Sequence, residues 1–178
     1  TAGNDNVIPM TRAVDASRRV TPIETAAPTP AAEPAAETPQ TPLAAALRLI
    51  VSSDRSFDPI RFVDGARIAY EMIVTAYAKG DRKTLSNLLS KEVMESFARG
   101  IDEREKKGEK VEFTFVGIDR SEIVEAAVGD GTARITVRFA AKVISLTRDA
   151  GGTVVDGDAT RLTDLVDVWT FARPITSS

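Results

Sequence analysis

Residues 132–143 read TARITVRFAAKV, and this stretch shows the clearest strand pattern in the chain. Apolar and polar residues alternate along it, with the period of two expected for a β-strand that has one buried face. The residues predicted to face the core are Ala133, Ile135, Val137, Phe139, Ala141 and Val143. We therefore expect a sheet in which one face of this strand is buried.

A turn signal comes immediately before this strand. Residues 129–131 read GDG, which is typical of a tight β-hairpin. Apolar and polar residues also alternate at 111–115, and residues 123–128 continue that strand after a break at 119–121. We therefore predict two antiparallel strands joined by a hairpin.

The sequence after the central strand is rich in turn residues. Glycine and aspartate at 149–152 and 156–158 predict a loop over this region. A last strand then follows, with the apolar residues Leu162, Leu165, Val166, Val168, Trp169 and Phe171.

A long helix is predicted upstream of the strands, starting at the sequence SFDPIRFVDGARIAY of residues 56–70. Asp58 is suited to the N-cap and Pro59 to the first helical position, and Gly80 ends the helix. Its apolar face is predicted to comprise Phe62, Ala66, Ala69, Ile73, Ala76 and Tyr77, widened by Val63, Tyr70 and Met72. Gly65 lies inside this helix, where it costs about 1 kcal/mol relative to alanine, so we expect close packing at that position.

Two more helices are predicted before the strands. Asp81 can cap a short one, and another begins near Ser90 and stops at Gly108. Helices followed by meandering strands predict an α+β domain over residues 57–178, with helices packed on one face of a curved antiparallel sheet. Such a sheet against a long helix often encloses a cone-shaped cavity, so we expect a pocket.

The N-terminal region has a different composition. Residues 1–42 hold seven of the nine prolines and none of the ten aromatic residues, and are predicted to be a disordered Pro/Ala-rich linker. Residues 43–56 are predicted to hold a short amphipathic helix, with Leu43, Leu47 and Ile50 on one face and Arg48 on the polar side. This helix is too short to be stable alone, and it would lie on its own domain, a partner protein or a lipid surface.

Composition excludes several classes of function. The net charge of −3 argues against general attraction to nucleic acid. The absence of histidine rules out Ser-His-Asp triads and His-ligated metals, and the absence of cysteine rules out disulfides and thiolate sites. We expect no cofactor, no metal site and no catalytic residues.

An ordered series of short motifs carries a family resemblance. The series comprises FD at 57–58, Phe62, GAR at 65–67, AY at 69–70 and 76–77, GD at 80–81, Leu85, LLS at 88–90, Phe97, Ile101 and WTFAR at 169–173. Over residues 43–173 the chain resembles the Tim44-like domain family, named for a subunit of the mitochondrial inner-membrane presequence translocase. The alanine-rich, cysteine-free sequence favours a bacterial member of that family.

The resemblance implies both a fold and a function. The implied fold is the nuclear-transport-factor-two-like (cystatin-like) cone, and the implied function is a non-enzymatic, membrane-associated scaffold that tethers protein-transport machinery. It implies partners from a translocation or membrane-assembly system, anionic lipid such as cardiolipin, and the cytoplasmic face of the bacterial inner membrane. The residues assigned to a pocket or partner face are Phe62, Ala69, Tyr70, Ile73, Phe113, Phe139 and Trp169, and those assigned to a membrane or partner helix are Leu43, Leu47, Arg48 and Ile50.

The chain departs from the family pattern in two respects. No membrane anchor is present, and the sequence stops at residues 174–178, where the family continues through another Trp-containing strand. Residues 162–171 are therefore predicted to present an unpaired strand edge, which invites strand addition or self-association.

Two other functions were considered. Cone folds host isomerases and dehydratases that use a buried carboxylate with tyrosine, for which Asp64 with Tyr70 or Tyr77 is the only constellation in this sequence. A ribosomal contact is the other alternative, but it has no single-sign cluster to support it. Its basic residues, interspersed with glutamates, are Arg82, Lys83, Arg99, Arg104, Lys106, Lys107 and Lys110.

Overall fold

The structure is a computed structural model that describes residues 41–175. Four helices precede four strands in this part of the chain. The helices are α1 (Pro42–Ser53), α2 (Pro59–Lys79), α3 (Arg82–Leu88) and α4 (Lys91–Lys106), and the strands are β1 (Lys110–Gly129), β2 (Thr132–Arg148), β3 (Val154–Gly157) and β4 (Thr163–Pro174). The linker predicted for residues 1–42 lies outside the described residues except for its last two positions.

Helix α2 begins and ends where the sequence predicts. The Asp58 carboxylate accepts hydrogen bonds from the backbone N–H groups of Ile60 and Arg61, and Pro59 occupies the first turn. At the other end Gly80 has a φ of 71°, the left-handed conformation that closes a helix C-terminus. Both helix signals read from the sequence are confirmed.

The next two helices follow the same rules. Asp81 caps α3 by accepting from the N–H of Thr84, and Ser90 caps α4 by accepting from the N–H of Val93. Gly108, with a φ of 66°, follows α4 and turns the chain towards the sheet. These caps match the predicted helix starts.

Strand β2 is the centre of an antiparallel four-stranded sheet. Strand β1 pairs along one side of β2. Along the other side, β4 pairs with residues 132–143 of β2 and β3 pairs with residues 146–148. The two-residue turn between β1 and β2 uses Asp130 and Gly131, both with positive φ, which is the geometry expected of a tight hairpin. The α+β fold with a curved antiparallel sheet is confirmed.

Two predictions about the strands were wrong. The break predicted at residues 119–121 is instead a register shift between Ile118 and Arg120 within one continuous strand, which is one of three irregularities in β1. The predicted loop contains β3, which pairs with β2 through Leu146–Arg148. Both valines of β3 are exposed, so this strand is held by backbone pairing and has no buried face that a sequence pattern could signal.

The core lies between the helices and the inner face of the sheet. Every residue predicted to face inward from β2 is buried. In β1 the apolar residues at 111, 113 and 115 are only half-buried, because β1 is an edge strand. Met72, Val166 and Val168, which the sequence placed among the apolar faces, are exposed instead.

Gly65 does not pack closely against anything. A Cβ atom added there would have no heavy-atom neighbour within 4 Å, so the expected close contact is absent from residues 41–175. The glycine therefore lowers the stability of α2 without a compensating contact in the described part of the chain.

We expect Gly65→Ala to raise the free energy of unfolding by about 1 kcal/mol, because alanine restricts the unfolded chain and favours the helix. Urea denaturation followed by circular dichroism measures the change. Gly157→Ala is the matched control and should destabilise the fold, because its Cβ would lie 2.0 Å from the carbonyl oxygen of Ser145 at a residue with a φ of 78°. A destabilised Gly65→Ala would contradict the open space at this position.

Candidate functional site

The centre of the domain is an aromatic cluster around Tyr70 of α2. Its ring stacks on Phe139 of β2 at a centroid distance of 4.4 Å, and it lies 4.7 Å from Trp169 of β4 and 6.2 Å from Phe115 of β1. Tyr70, Phe139 and Trp169 are almost completely buried. The cluster therefore joins the long helix to three strands of the sheet.

The Tyr70 hydroxyl has a specific partner at the edge of this cluster. It donates a hydrogen bond of 2.8 Å to the carboxylate of Asp167, on the same face of β4 as Trp169. Burial raises the pKa of Tyr70 far above its ordinary value, and the negative charge of Asp167 raises it further. The Tyr70 hydroxyl therefore stays protonated near neutral pH and donates to Asp167.

The Asp64–tyrosine constellation considered for catalysis is not assembled. Asp64 is exposed on α2, whereas the Tyr70 hydroxyl is bonded to Asp167. Tyr77 is half-buried and packs edge-on against Phe97. No sequence pattern points to Asp167 as the partner of Tyr70, because the two residues are 97 positions apart in the chain.

Four of the residues predicted for a pocket or partner face belong to the packed core. These are Tyr70, Ile73, Phe139 and Trp169, each at most 1% exposed. The indole N–H of Trp169 has no hydrogen-bond acceptor among residues 41–175. None of these four side chains offers an open surface to a ligand or partner.

The other three predicted residues retain some exposed surface. Phe62 is half-buried between Phe57 and Phe171, with ring centroids 5.7 Å away in each case. Ala69 is half-buried on α2, and Phe113 is half-buried on β1. The seven residues therefore do not line one common cavity.

A cavity of about 420 Å³ lies elsewhere, between α2 and the bulged part of β1. Its lining residues are Asp64, Arg67, Ile68 and Glu71 of α2 and Phe115, Val116, Gly117 and Ile118 of β1. The register shift between Phe115 and Gly117 accommodates Val116 as an extra residue in β1. No sequence pattern marks this bulge, so the cavity could not be located from the sequence.

Large apolar side chains are exposed on α2 and on the bulge of β1, and two of them, Ile68 and Val116, line the cavity. Ile60 is 76% exposed, Ile68 63%, Val116 51% and Met72 45%. We call these four residues the α2 ridge. Where exposed apolar side chains form a continuous patch, they often mark a site of contact with another molecule.

Helix α1 lies on its own domain. Ile50 is buried, Leu47 packs against the core and Leu43 is half-buried, so the predicted apolar face points inward. Arg48 and Leu49 are exposed on the other side of the helix. Of the three surfaces considered for this helix, the structure places it on the domain.

A buried ion pair holds the end of α1 against the sheet. Asp54 is 5% exposed, and its carboxylate lies 3.0 Å from the guanidinium of Arg173 in β4. The N–H and hydroxyl of Ser56 also donate hydrogen bonds to Asp54. These Ser56 hydrogen bonds, chiefly that from the hydroxyl, and the charge of Arg173 hold the pKa of Asp54 below its ordinary value of 3.8.

The basic residues considered for a ribosomal contact are partly engaged within the domain. Arg82 forms ion pairs with Asp102 and Glu105 of α4. The Arg104 guanidinium lies over the ring of Tyr77 and donates to the backbone carbonyl of the same residue. Two of the seven basic residues named for a ribosomal contact are therefore held by contacts within the domain.

Residues 41–175 hold neither a cluster of metal ligands nor a membrane-spanning helix. No group of three or more acidic side chains in these residues is arranged to hold a metal ion. No helix among them is long and apolar enough to cross a membrane.

Comparison with known proteins gives two findings. The sequence model of the Tim44-like domain matches residues 43–178. The chain is also 30% identical over 118 residues to an uncharacterized protein of Rickettsia prowazekii (strain Madrid E), a match that covers 66% of this chain and 46% of that protein. The chain thus spans about half the length of this curated relative.

We expect Asp54→Asn to lower the free energy of unfolding at neutral pH, because the amide loses the charge that pairs with Arg173. Folding lowers the pKa of Asp54 below its ordinary value of 3.8. The Asp54 carboxylate therefore stabilises the fold above pH 3.8, and this stabilisation is lost as the pH falls through the lower pKa of the folded state. Urea denaturation of both proteins, from neutral pH to below 3.8, should show their stabilities converging.

Hydrogen exchange provides a local readout of the same substitution. The α1 amides should exchange faster in Asp54→Asn at neutral pH, while the α4 amides should not change. Glu95→Gln, on the exposed side of α4, is the control and should affect neither helix. Unaltered α1 exchange in Asp54→Asn would show that the ion pair does not hold this helix.

Proposed function

Because the chain belongs to the Tim44-like domain family, a family of membrane-associated adaptors, we propose that it is a non-enzymatic adaptor of the bacterial inner membrane. In this role it holds protein partners of a translocation or membrane-assembly system at the cytoplasmic face. The family match, which extends over the whole described domain, carries the proposal.

The α2 ridge supports protein binding as the activity of the domain. Three of its four residues lie on one helix and the fourth lies on the adjacent bulge of β1, so a partner can contact all of them together. Charged Asp64, Arg67 and Glu71 lie beside the apolar residues. Interfaces commonly combine an apolar centre with a charged rim, and this pattern gives both affinity and orientation.

The seven residues predicted for a pocket or partner face divide into exposed ones, which can touch a partner, and buried ones, which support α2. Phe62, Ala69 and Phe113 keep exposed surface and contribute to partner contact at the margins. The buried aromatic cluster around Tyr70 supports α2 from beneath and fixes the position of the ridge. A rigid surface binds with a smaller entropy loss than a mobile one.

Anionic lipid, such as cardiolipin, is the second ligand in the proposal. Arg48, Leu49 and Val51 are exposed on α1, so one cation lies among apolar side chains that can enter a headgroup layer. A single cation gives weak attraction, of about 1 kcal/mol at an anionic surface. Lipid binding would therefore reinforce attachment and not suffice alone.

The isomerase or dehydratase alternative has less support. Its carboxylate, Asp64, is exposed to solvent on α2, outside the packed core that holds Tyr70. Tyr70 donates to Asp167 within the packed core and is not among the residues that line the cavity. The adaptor is therefore the function that these contacts favour.

Partner binding is tested by site-specific photo-crosslinking in bacterial cells. A photoreactive residue at position 68 or 72 should give a protein adduct in the membrane fraction, and Ile68→Glu should reduce the yield from position 72 roughly tenfold, because a charge is then buried in the interface. Position 124 on β1, where Val124 is 43% exposed, is the matched control and should give no adduct. Equal labelling from positions 68, 72 and 124 would show that the ridge is not a binding surface.

Lipid binding is tested separately by flotation with vesicles. The chain should float with vesicles that contain cardiolipin at low salt, and less so as salt screens the attraction. Arg48→Glu should lower vesicle affinity roughly fivefold or more, from the 1 kcal/mol that one basic residue contributes. Arg99→Glu on α4 is the control and should leave flotation unchanged; equal losses in both variants would remove α1 as the lipid contact.

A further inference from the structure

Three charged side chains lie in one row on the outer side of α2. Asp64, Arg67 and Glu71 occupy positions i, i+3 and i+7, which fall on one face of a helix. All three are exposed, and all three line the cavity beside the bulge of β1. No ion pair within residues 41–175 involves any of them. The row therefore presents the charge order negative, positive, negative to a molecule that lies along α2.

Apolar side chains occupy fixed places in the same row. Ile60 lies four positions before Asp64, Ile68 lies four positions after it, and Met72 lies eight positions after it. These three are the members of the α2 ridge that belong to the helix. A segment that binds along α2 therefore has to match both an order of charges and an order of apolar residues.

A segment of this chain outside the described residues has the matching order. Residues 8–20 read IPMTRAVDASRRV. The charged residues Arg12, Asp15 and Arg19 have the spacing i, i+3 and i+7, and each carries the charge opposite to that of its counterpart on α2. The residues at the positions that correspond to Ile60, Ile68 and Met72 are Ile8, Ala16 and Val20.

We propose that residues 8–20 bind along the α2 ridge of their own chain, as a helix that forms on binding and runs parallel to α2. Two helices share a rise of about 1.5 Å per residue, so equal spacings stay in register along both. The resulting ion pairs are Arg12 with Asp64, Asp15 with Arg67, and Arg19 with Glu71. Opposite charges on neighbouring helices select the partner and its orientation.

The apolar residues favour the parallel direction over the antiparallel one. In the parallel direction Ile8, Ala16 and Val20 meet the apolar residues of the ridge, as counted from the ion pairs. In the antiparallel direction Ile8 would instead meet Thr75, which is outside the ridge. Pro9 suits the first turn of a helix, so the segment also has a start signal at its beginning.

The chain between this segment and the domain is long enough for such binding. A proline-rich chain spans about 3 Å per residue, so residues 21–41 can cover about 60 Å. A globular unit of this size has a radius of gyration of about 14 Å. The tether also holds the segment at an effective concentration on the order of 1 mM. Exposed ion pairs are individually weak, but with this tether a millimolar affinity is enough for the segment to occupy the ridge.

The consequence for regulation rests on the proposed function, whereas the binding of the segment does not. The bound segment would cover Ile68 and Met72, the positions at which we place partner contact. A partner would then have to displace residues 8–20 before it could bind. The segment would act as an internal competitor that lowers partner affinity in proportion to the time it occupies the ridge.

Disulfide trapping in the full chain locates the segment. Because the chain contains no cysteine, Val20→Cys with Met72→Cys introduces a single pair of thiols. Under mild oxidation this pair should close an internal disulfide, because the proposed register brings the two positions together. Val20→Cys with Ile60→Cys is the matched control and should react roughly tenfold more slowly. Random collision would favour position 60, since Ile60 is 76% exposed and Met72 45%.

Charge substitution in the chain with thiols at 20 and 72 tests the ion pairs. Arg19→Glu should slow disulfide formation roughly fivefold, because it replaces an attraction with a repulsion. Arg18→Glu is the matched control, since it makes the same change of charge one position outside the row and should change the rate far less. Adding Glu71→Arg to Arg19→Glu should restore the rate, which a folding defect would not do.

Three outcomes would overturn the binding of the segment. The first is an equal rate for the two thiol pairs, and the second is an equal effect of Arg18→Glu and Arg19→Glu. The third is a covalent dimer in place of the internal disulfide, because the occupant of the ridge would then be a second copy.

Photo-crosslinking from position 72 separates this inference from the adaptor role. Arg19→Glu should raise the yield of the partner adduct severalfold, because it frees the ridge, and Arg18→Glu should not. A partner adduct with the same yield in both variants would contradict the competition. An internal disulfide without a partner adduct in any variant would contradict the adaptor role and still confirm the binding of residues 8–20.

Discussion

The stacking of Tyr70 on Phe139 is the contact on which the rest of this domain depends. Tyr70 is on the long helix and Phe139 is on the central strand, so this one pair fixes the distance and rotation between the two layers. Trp169 adds a contact to the strand on the other side of β2. Each aromatic pair contributes about 0.5–1.5 kcal/mol beyond the area it buries, and the burial of three large rings contributes more. The hydrogen bond from Tyr70 to Asp167 satisfies the polar group that such burial would otherwise leave without a partner.

This arrangement determines which surfaces remain for function. Because the aromatic rings fill the space between helix and sheet, the centre of the domain is packed, and the cavity lies to one side between α2 and the bulge in β1. Apolar residues that do not fit the core are then exposed on the outer side of α2 and on β4. The interior is therefore filled by side chains, and the surfaces on α2 and β4 are what remains for the partner contacts that we propose.

The two edge strands of the sheet differ in how well they are protected from pairing with another strand. Strand β1 is covered by helices and interrupted by bulges, which protect it from pairing. Strand β4 is regular along its whole length. Helix α1 connects these regions, since it packs against β1 while the Asp54–Arg173 pair ties its end to β4.

The sequence alone determined the fold class, the helices and every strand except β3, because the signals for these elements are local. Asp58, Gly80 and Ser90 act on neighbouring backbone groups, and the alternation along β2 follows from the geometry of one strand. Only the tertiary structure decided what each apolar residue faces. It brings the Tyr70 hydroxyl to Asp167, and it leaves Ile68 and Val168 exposed. Those outcomes depend on contacts between distant residues, on the bulges of β1 and on which strand lies at an edge. None of these has a period or spacing that a single sequence can display.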